Sequence, residues 1–297
     1  MKRFEDQYFD LLGKILAEGT VCVSGRQSGG GKVTRTKRIW GYTFDIDLGQ
    51  EYPLLYSKHV AVKSAIREIL WIMQKQSNNI HDLIPHIWDK WADEDGSIKK
   101  TYGWQVGRPF NHPLGRFPDQ VHGVLGILGK DSSTRHGVID MWQSETLDDN
   151  NCIPCCYTSH YTIMDGKLNI AVIQRSADSI IGLPFNIAQY AFLAKAFARH
   201  LGVEPGKYIH LITDAHIYES QYGNFGTGEM APDFAKLMAN HEEWSARTAE
   251  QKAAFHPEVV FDDKSTSFWD ITDHNFKVKG YKIGEDCHED LTFDVVK

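Results

Sequence analysis

The stretch LNIAVIQRSADSIIGLPFNIAQYAFLAKAFARHLG, Leu168 to Gly202, sets the fold class. Leu168 to Gln174 is short, apolar and rich in β-branched residues, which reads as a strand. Pro184 to Leu201 is apolar for several turns and reads as a long helix, with Gly202 as its stop. Just upstream, Tyr157 to Ile163 reads as another strand, joined to the first through Asp165-Gly166, a good hairpin turn. A hairpin followed at once by a long apolar helix is a sheet with a helix packed on it.

The same pattern extends outward. Phe4, Tyr8, Leu11, Leu12, Ile15 and Leu16 recur at helical spacing. Val21 to Val23, Ile39 to Leu48, Val138 to Trp142, Tyr208 to Thr213, Phe276 to Tyr281 and Leu291 to Val296 read as strands. Val62 to Gln74 reads as a buried helix, Asp119 to Leu128 as helix, Pro232 to Ala253 as mostly helical, and Gly25 to Lys32 as a flexible loop. No linker or repeat divides the chain. The expectation is one α+β domain over residues 1–297, a mixed β-sheet with packed helices.

Composition narrows the function classes. Of 297 residues 42% are hydrophobic and 24% charged, the balance of a globular chain with a sizeable core. The net charge of -7, without a dense basic run, argues against non-specific nucleic-acid binding. An anionic substrate would then need a local pocket of Arg. No apolar run approaches a membrane span, and the N-terminus alternates apolar and charged residues, unlike a signal peptide. Five Cys in a long chain without such a signal point to reduced thiols in the cytoplasm.

Four constellations carry chemistry. Cys152-Ile-Pro-Cys155-Cys156 admits a zinc site, a redox pair, buried structural thiols, or one nucleophile presented by a Pro-stiffened loop. Zinc lacks a second ligand pair, because Cys22 and Cys287 are single. Gly25 to Lys32 is a near miss to a phosphate loop: five residues separate Gly25 from Gly31, and Val33 follows Lys32. Arg175 and Ser176 suit a phosphate, although such a pair also ends a solvated strand. Asn186 can cap the helix or read a base edge. Trp88 and Trp91, beside Asp89, fit a core or a platform for a flat heterocycle.

Taken together, Pro154-Cys155, QRSADSIIGLPFNIAQYA (Gln174 to Ala191) and DAHIY (Asp214 to Tyr218) resemble the thymidylate synthase family, with support from AIREILW (Ala65 to Trp71), HIWDKWADEDG (His86 to Gly96), YGWQ (Tyr102 to Gln105) and DSSTRHGVIDMW (Asp131 to Trp142). The resemblance covers nearly the whole chain and is strongest to synthases of some Gram-positive bacteria and their phages. It implies a thymidylate synthase-like fold and a sheet-to-sheet homodimer. It implies transfer of a one-carbon unit from 5,10-methylenetetrahydrofolate to C5 of dUMP through a Cys155–C6 adduct, with no metal, nucleic acid or membrane involved. The setting implied is cytoplasmic, the host cytoplasm if phage-encoded.

The resemblance also assigns roles. Cys155 is the nucleophile. Glu68 and Tyr102 manage protons, and Asp178 and Asn186 complete the catalytic set. Arg26, Arg175, Ser176 and Gln174 hold the nucleotide, with Arg135 reaching its phosphate from the partner subunit. Asn186 reads uracil, and His216 and Tyr218 hold the sugar hydroxyl. Lys58, Ile87, Trp88, Trp91, Asp178, Gly182 and Phe185 line the folate. Four features depart from the family: Cys156 stands where a His is usual, GRQSGGGKVTRTK replaces an Arg-Thr-Gly loop, His136 replaces a second Arg, and Lys297 replaces a small apolar end. They keep open a related outcome, hydroxymethylation of dUMP when water intercepts the intermediate, and a non-catalytic nucleotide- or RNA-binding relative.

Overall fold

The computed structural model describes residues 2–27, 33–83, 87–262, 267–293 and 295–296. Helix α1 (Phe4–Glu18) buries Phe4, Tyr8, Leu11, Leu12 and Ile15, one stripe of an amphipathic helix. Strands β1 (Thr20–Gln27) and β2 (Val33–Asp47) follow, both longer than read from sequence. Residues 28–32 and the Arg26 side chain lie outside the described part of the chain. Helix α2 (Val62–Leu70) passes into a π-helical turn, Trp71–Lys75, where the sequence reads a single helix. Such bulges shift a helix face by one residue and often border functional sites.

Helix α3 (Gly103–Val106), a hairpin of β3 (Phe110–His112) and β4 (Gly115–Phe117), and helix α4 (Gln120–Lys130) come next. Asp119 caps α4 by accepting from the His122 N–H at 2.9 Å. Then come β5 (Gly137–Asp140), β6 (Cys156–Met164), β7 (Lys167–Gln174), β8 (Ala177–Asp178), α5 (Gly182–Leu201) and β9 (Glu204–Tyr218). The β6–β7 turn is Asp165-Gly166, with φ of 51° and 71°, the positive pair that a two-residue hairpin of this hand requires. Gly202, at φ 68°, ends α5.

The seven-stranded sheet has the order β1-β2-β9-β7-β6-β5, with β8 beside β9. β7 and β8 run parallel to β9, and the other neighbours are antiparallel. A parallel pair needs a crossover, and α5 supplies it. The result is the mixed sheet with packed helices that the sequence predicts. Phe44 of β2 meets Phe4 of α1 at 5.7 Å between ring centres, and Tyr161 of β6 meets Phe197 of α5 at 5.2 Å. Phe44 pairs with His210 across β2 and β9, and His210 reaches Gln174 of β7, so α1 and α5 cover the same face. Leu211, next along β9, is exposed, as is Trp40 of β2.

Two helices, Pro232–Ala246 and Ala249–Ala254, fulfil the reading of that region. Glu258–Phe261 pairs with Phe276–Lys279 in a small separate sheet. Leu291 to Val296 does not form the expected strand among its described residues. Phe293 packs partly buried against the core and Val296 is buried, so the alternation of apolar residues is met by docking rather than by pairing. No helix among the described residues is long and apolar enough to cross a membrane.

Candidate active site

The end of β7, short β8, the far end of β9, the start of β6 and helices α2 and α5 converge on one cleft of about 610 Å3, a size suited to small organic ligands. Its wall includes Cys155, Glu68, Tyr102, Gln174, Ser176 and Asn186. His216 and Tyr218 of β9 also face it, with Asp178, Gly182 and Phe185 at the start of α5 and Ile87, Trp88 and Trp91 opposite. Residues scattered over the chain from Glu68 to Tyr218 thus share one cavity.

Cys155 is half-buried, in the turn that leads into β6. The turn is held from three sides. The Cys155 N–H donates to the Tyr102 hydroxyl at 3.2 Å, and the Cys155 carbonyl accepts from the Arg175 N–H at 2.9 Å. The Arg175 guanidinium donates to the carbonyls of Pro154 at 3.0 Å and Ile153 at 2.8 Å. Arg175 therefore grips the backbone of the Cys155 loop from outside the cleft wall. Tyr102 sits at φ 38°, a strained conformation for a non-glycine residue. Burial, with the Cys155 and Cys152 thiols nearby, raises its hydroxyl well above the usual range and keeps it protonated. The adjacent Cys156 is buried, and burial with Cys155 and Glu68 beside it pushes its thiol well up. The two neighbouring thiols thus differ in environment. Among the described residues no group of three or more His, Cys, Asp or Glu could hold a metal ion.

Along the cleft wall runs a line of amides. Gln174 donates to Asn186 at 3.1 Å, Asn186 donates to Gln189 at 3.0 Å, and Gln189 donates to Glu68 at 2.9 Å. Burial pushes Glu68 up to about 7, against the pull of hydrogen bonds from Gln189 and the Trp88 indole. A carboxyl near that value can both hold and release a proton at neutral pH. Asn186 lies in the second turn of α5, since the helix already begins at Gly182, so its side chain is not the N-cap.

The apolar half of the cleft is built on Trp88. Its ring packs edge-on against Tyr102 at 5.0 Å and Trp91 at 5.5 Å. Trp91 ends a 3-10 turn, Asp89–Trp91, not a longer helix. The Asp178 carboxylate accepts from the N–H groups of Ile180 at 3.0 Å and Ile181 at 3.1 Å and from Gln221 at 2.8 Å. On the other side, His216 is held by Asp214 at 3.1 Å and packs against Tyr218.

Besides Arg175, two expected residues lie outside the cleft wall. Lys58 is buried behind the wall, donating to the Ile180 carbonyl at 2.6 Å, and burial lowers its ammonium to about 8. Arg135 is exposed, and its carbonyl meets His160 at 3.1 Å. Gln189, His210 and the wall residues Val295 and Val296 escaped the sequence reading. Gln189 was findable: three residues after Asn186, it shares its helix face.

This geometry can be compared with known proteins. A family model described as thymidylate synthase matches residues 6–293. The chain belongs to the thymidylate synthase family. A thymidylate synthase of Clostridium beijerinckii is 32% identical over 298 residues, covering 99% of each chain. Thymidylate synthase 1 of Bacillus subtilis is 32% identical over 292 residues, covering 96% of this chain and 97% of that one. The solved thermostable thymidylate synthase A from Bacillus subtilis superposes with a TM-score of 0.82 at 30% identity, covering both chains in full. The fold is thus that of thymidylate synthases, as the motifs around Cys155 and Asn186 predict.

Proposed function

We propose that this chain methylates dUMP at C5, with 5,10-methylenetetrahydrofolate as one-carbon donor and reductant, giving dTMP and dihydrofolate. The observation that carries the reading is that Cys155, Asn186 and Glu68 face one cleft in a chain of thymidylate synthase family. Relatives named thymidylate synthase favour the methyl product over the hydroxymethyl one.

In this reading each side chain has a physical task. The Cys155 thiolate adds to C6 of uracil, and the electron pair moves to C5, which attacks the folate methylene. Loss of the C5 proton expels tetrahydrofolate and leaves an exocyclic methylene. Hydride from the folate reduces it as the Cys155 bond to C6 breaks. Tyr102 and Glu68 handle the protons, and Asn186 accepts from N3–H and donates to O4. Ser176, with Arg26 and Arg175, holds the phosphate, while His216 and Tyr218 hold the sugar. Trp88, Trp91, Ile87, Phe185 and Gly182 form a flat apolar slot for the pterin, with Asp178 at its edge. Lys58 supports that edge through the Ile180 carbonyl.

The reading includes a homodimer in which the sheet faces meet and Arg135 completes the partner's phosphate site. Exposed Leu211 and Trp40 supply apolar surface for it. The decisive experiment incubates the purified chain with dUMP and methylenetetrahydrofolate. Dihydrofolate should appear with one dTMP per turnover; without dihydrofolate, the reading is abandoned.

A further inference from the structure

The amide line along the cleft has a single direction, and the Ser176 carbonyl reveals it. Gln174 Nε2 donates to the Ser176 carbonyl at 3.0 Å, and a carbonyl can only accept. Gln174 Oε1 therefore faces His210 Nε2, at 2.7 Å, as an acceptor, so that nitrogen carries the imidazole proton. His210 Nδ1 must then accept from the Tyr208 hydroxyl, at 2.7 Å. His210 is fully buried, and burial lowers it to about 3, which keeps the ring neutral and the two nitrogens distinct.

In the other direction the remaining N–H of Gln174 reaches Asn186 Oδ1. Asn186 Nδ2 is thereby committed to Gln189 Oε1, and Gln189 Nε2 to Glu68. Every donor in the series Tyr208, His210, Gln174, Asn186, Gln189 points the same way. Inverting Asn186 would set its N–H groups against those of Gln174 and its oxygen against that of Gln189. Two clashes of this kind, in a part-buried network, cost more than a lost hydrogen bond to water.

We infer that His210 and Tyr208, which stand outside the cleft wall, are positioning residues that, together with the Ser176 carbonyl, hold the amide sense of Asn186 and so the preference for a uracil over a cytosine nucleotide. The inference rests on the reading that Asn186 meets the base edge. Uracil offers a donor at N3 and an acceptor at O4, whereas cytosine offers the reverse pair. An Asn186 locked with its oxygen as acceptor and its nitrogen as donor fits only the first. A site whose polar groups cannot turn over rejects the reversed pattern.

The test measures dissociation constants of dUMP and dCMP by calorimetry on His210→Leu, His210→Gln, Tyr208→Phe and Asn186→Asp. His210→Leu leaves Gln174 Oε1 without its donor, so that only the Ser176 carbonyl opposes rotation of the amide. The preference for dUMP should fall tenfold or more, while binding of 2-deoxyribose 5-phosphate, which has no base, stays unchanged. His210→Gln keeps an amide donor and should recover most of the preference. Tyr208→Phe, which removes one oxygen and preserves the packing, should lose about threefold. An unchanged dUMP to dCMP ratio in both Tyr208→Phe and folded His210→Leu overturns the inference. If Asn186→Asp still shifts the ratio in that case, base reading by Asn186 stands and only the positioning role fails; if it does not, base reading fails and the positioning role with it.

Discussion

Gln189 donates its side-chain amide to the Glu68 carboxylate at 2.9 Å, tying helix α5 to helix α2 inside the cleft. The bond stabilises the charged form of Glu68, yet burial outweighs it and lifts the group from 4.5 to about 7. The unfolded chain gives up this proton first. Between about pH 4.5 and 7 the native state holds more protons than the unfolded state, so this group makes stability fall as pH rises. The cost at neutral pH is about 3 kcal/mol. Glu68→Gln removes the titration and should raise Tm relative to the parent chain by a margin that grows from pH 4.5 to 7. The same variant should lower kcat on the order of 100-fold or more, because the proton relay is gone. Thermal scans over that range, paired with turnover at neutral pH, check both halves.

The two adjacent thiols should separate cleanly by substitution. Both line the cleft, Cys155 half-buried and Cys156 buried. Cys155→Ser changes one atom and should preserve Tm within a few degrees while abolishing turnover and the covalent adduct with 5-fluoro-dUMP. Cys156→Ala should cost roughly 1–2 kcal/mol through a small cavity, yet keep the adduct. Mass spectrometry of the intact protein reads the adduct directly. An adduct surviving in Cys155→Ser would move the nucleophile elsewhere.

How much of this was visible in the sequence follows from the range of each interaction. The β6–β7 hairpin and α5 were legible because Asp165-Gly166 and the apolar run are local signals. The extent of β9 was not: its last residues, Ala215 to Tyr218, are all buried, so alternation fails there. Residues named by motif, such as Cys155, Asn186 and His216, line one cleft. Lys58 did not, because its burial depends on the Ile180 carbonyl, contributed from 122 residues away. The grip of Arg175 on the Ile153 and Pro154 carbonyls likewise joins two loops, and no periodicity reports it.

Arg135 supplies a test of the dimer. It is exposed and absent from the cleft wall of its own chain. If it serves the neighbouring subunit, Arg135→Glu and Cys155→Ser chains, each poorly active, should complement when refolded together. A mixed dimer then has one site with both Cys155 and Arg135 intact. Recovery toward a quarter of parental activity is expected from random pairing, since half the dimers carry one good site. No recovery in mixed samples shown by ultracentrifugation to be dimeric would place Arg135 outside the partner's site.

Val296 lines the cleft. It is buried and lines the same wall as Cys155, although it lies 141 residues away in sequence (296 against 155). The exocyclic methylene intermediate reacts either with hydride or with water, and a difference of about 1–3 kcal/mol between those barriers changes the product by roughly 5- to 150-fold. Val296→Asp puts a charge into the apolar wall, which can stay charged only by drawing in water. The expected result is a fall in dTMP formation and the appearance of 5-hydroxymethyl-dUMP, with the 5-fluoro-dUMP adduct still forming because Cys155 is untouched. Chromatography of the nucleotide products gives the ratio. If the variant makes only dTMP at the parental rate, Val296 does not exclude water, and the hydride step must be protected by the Trp88 side of the cleft instead.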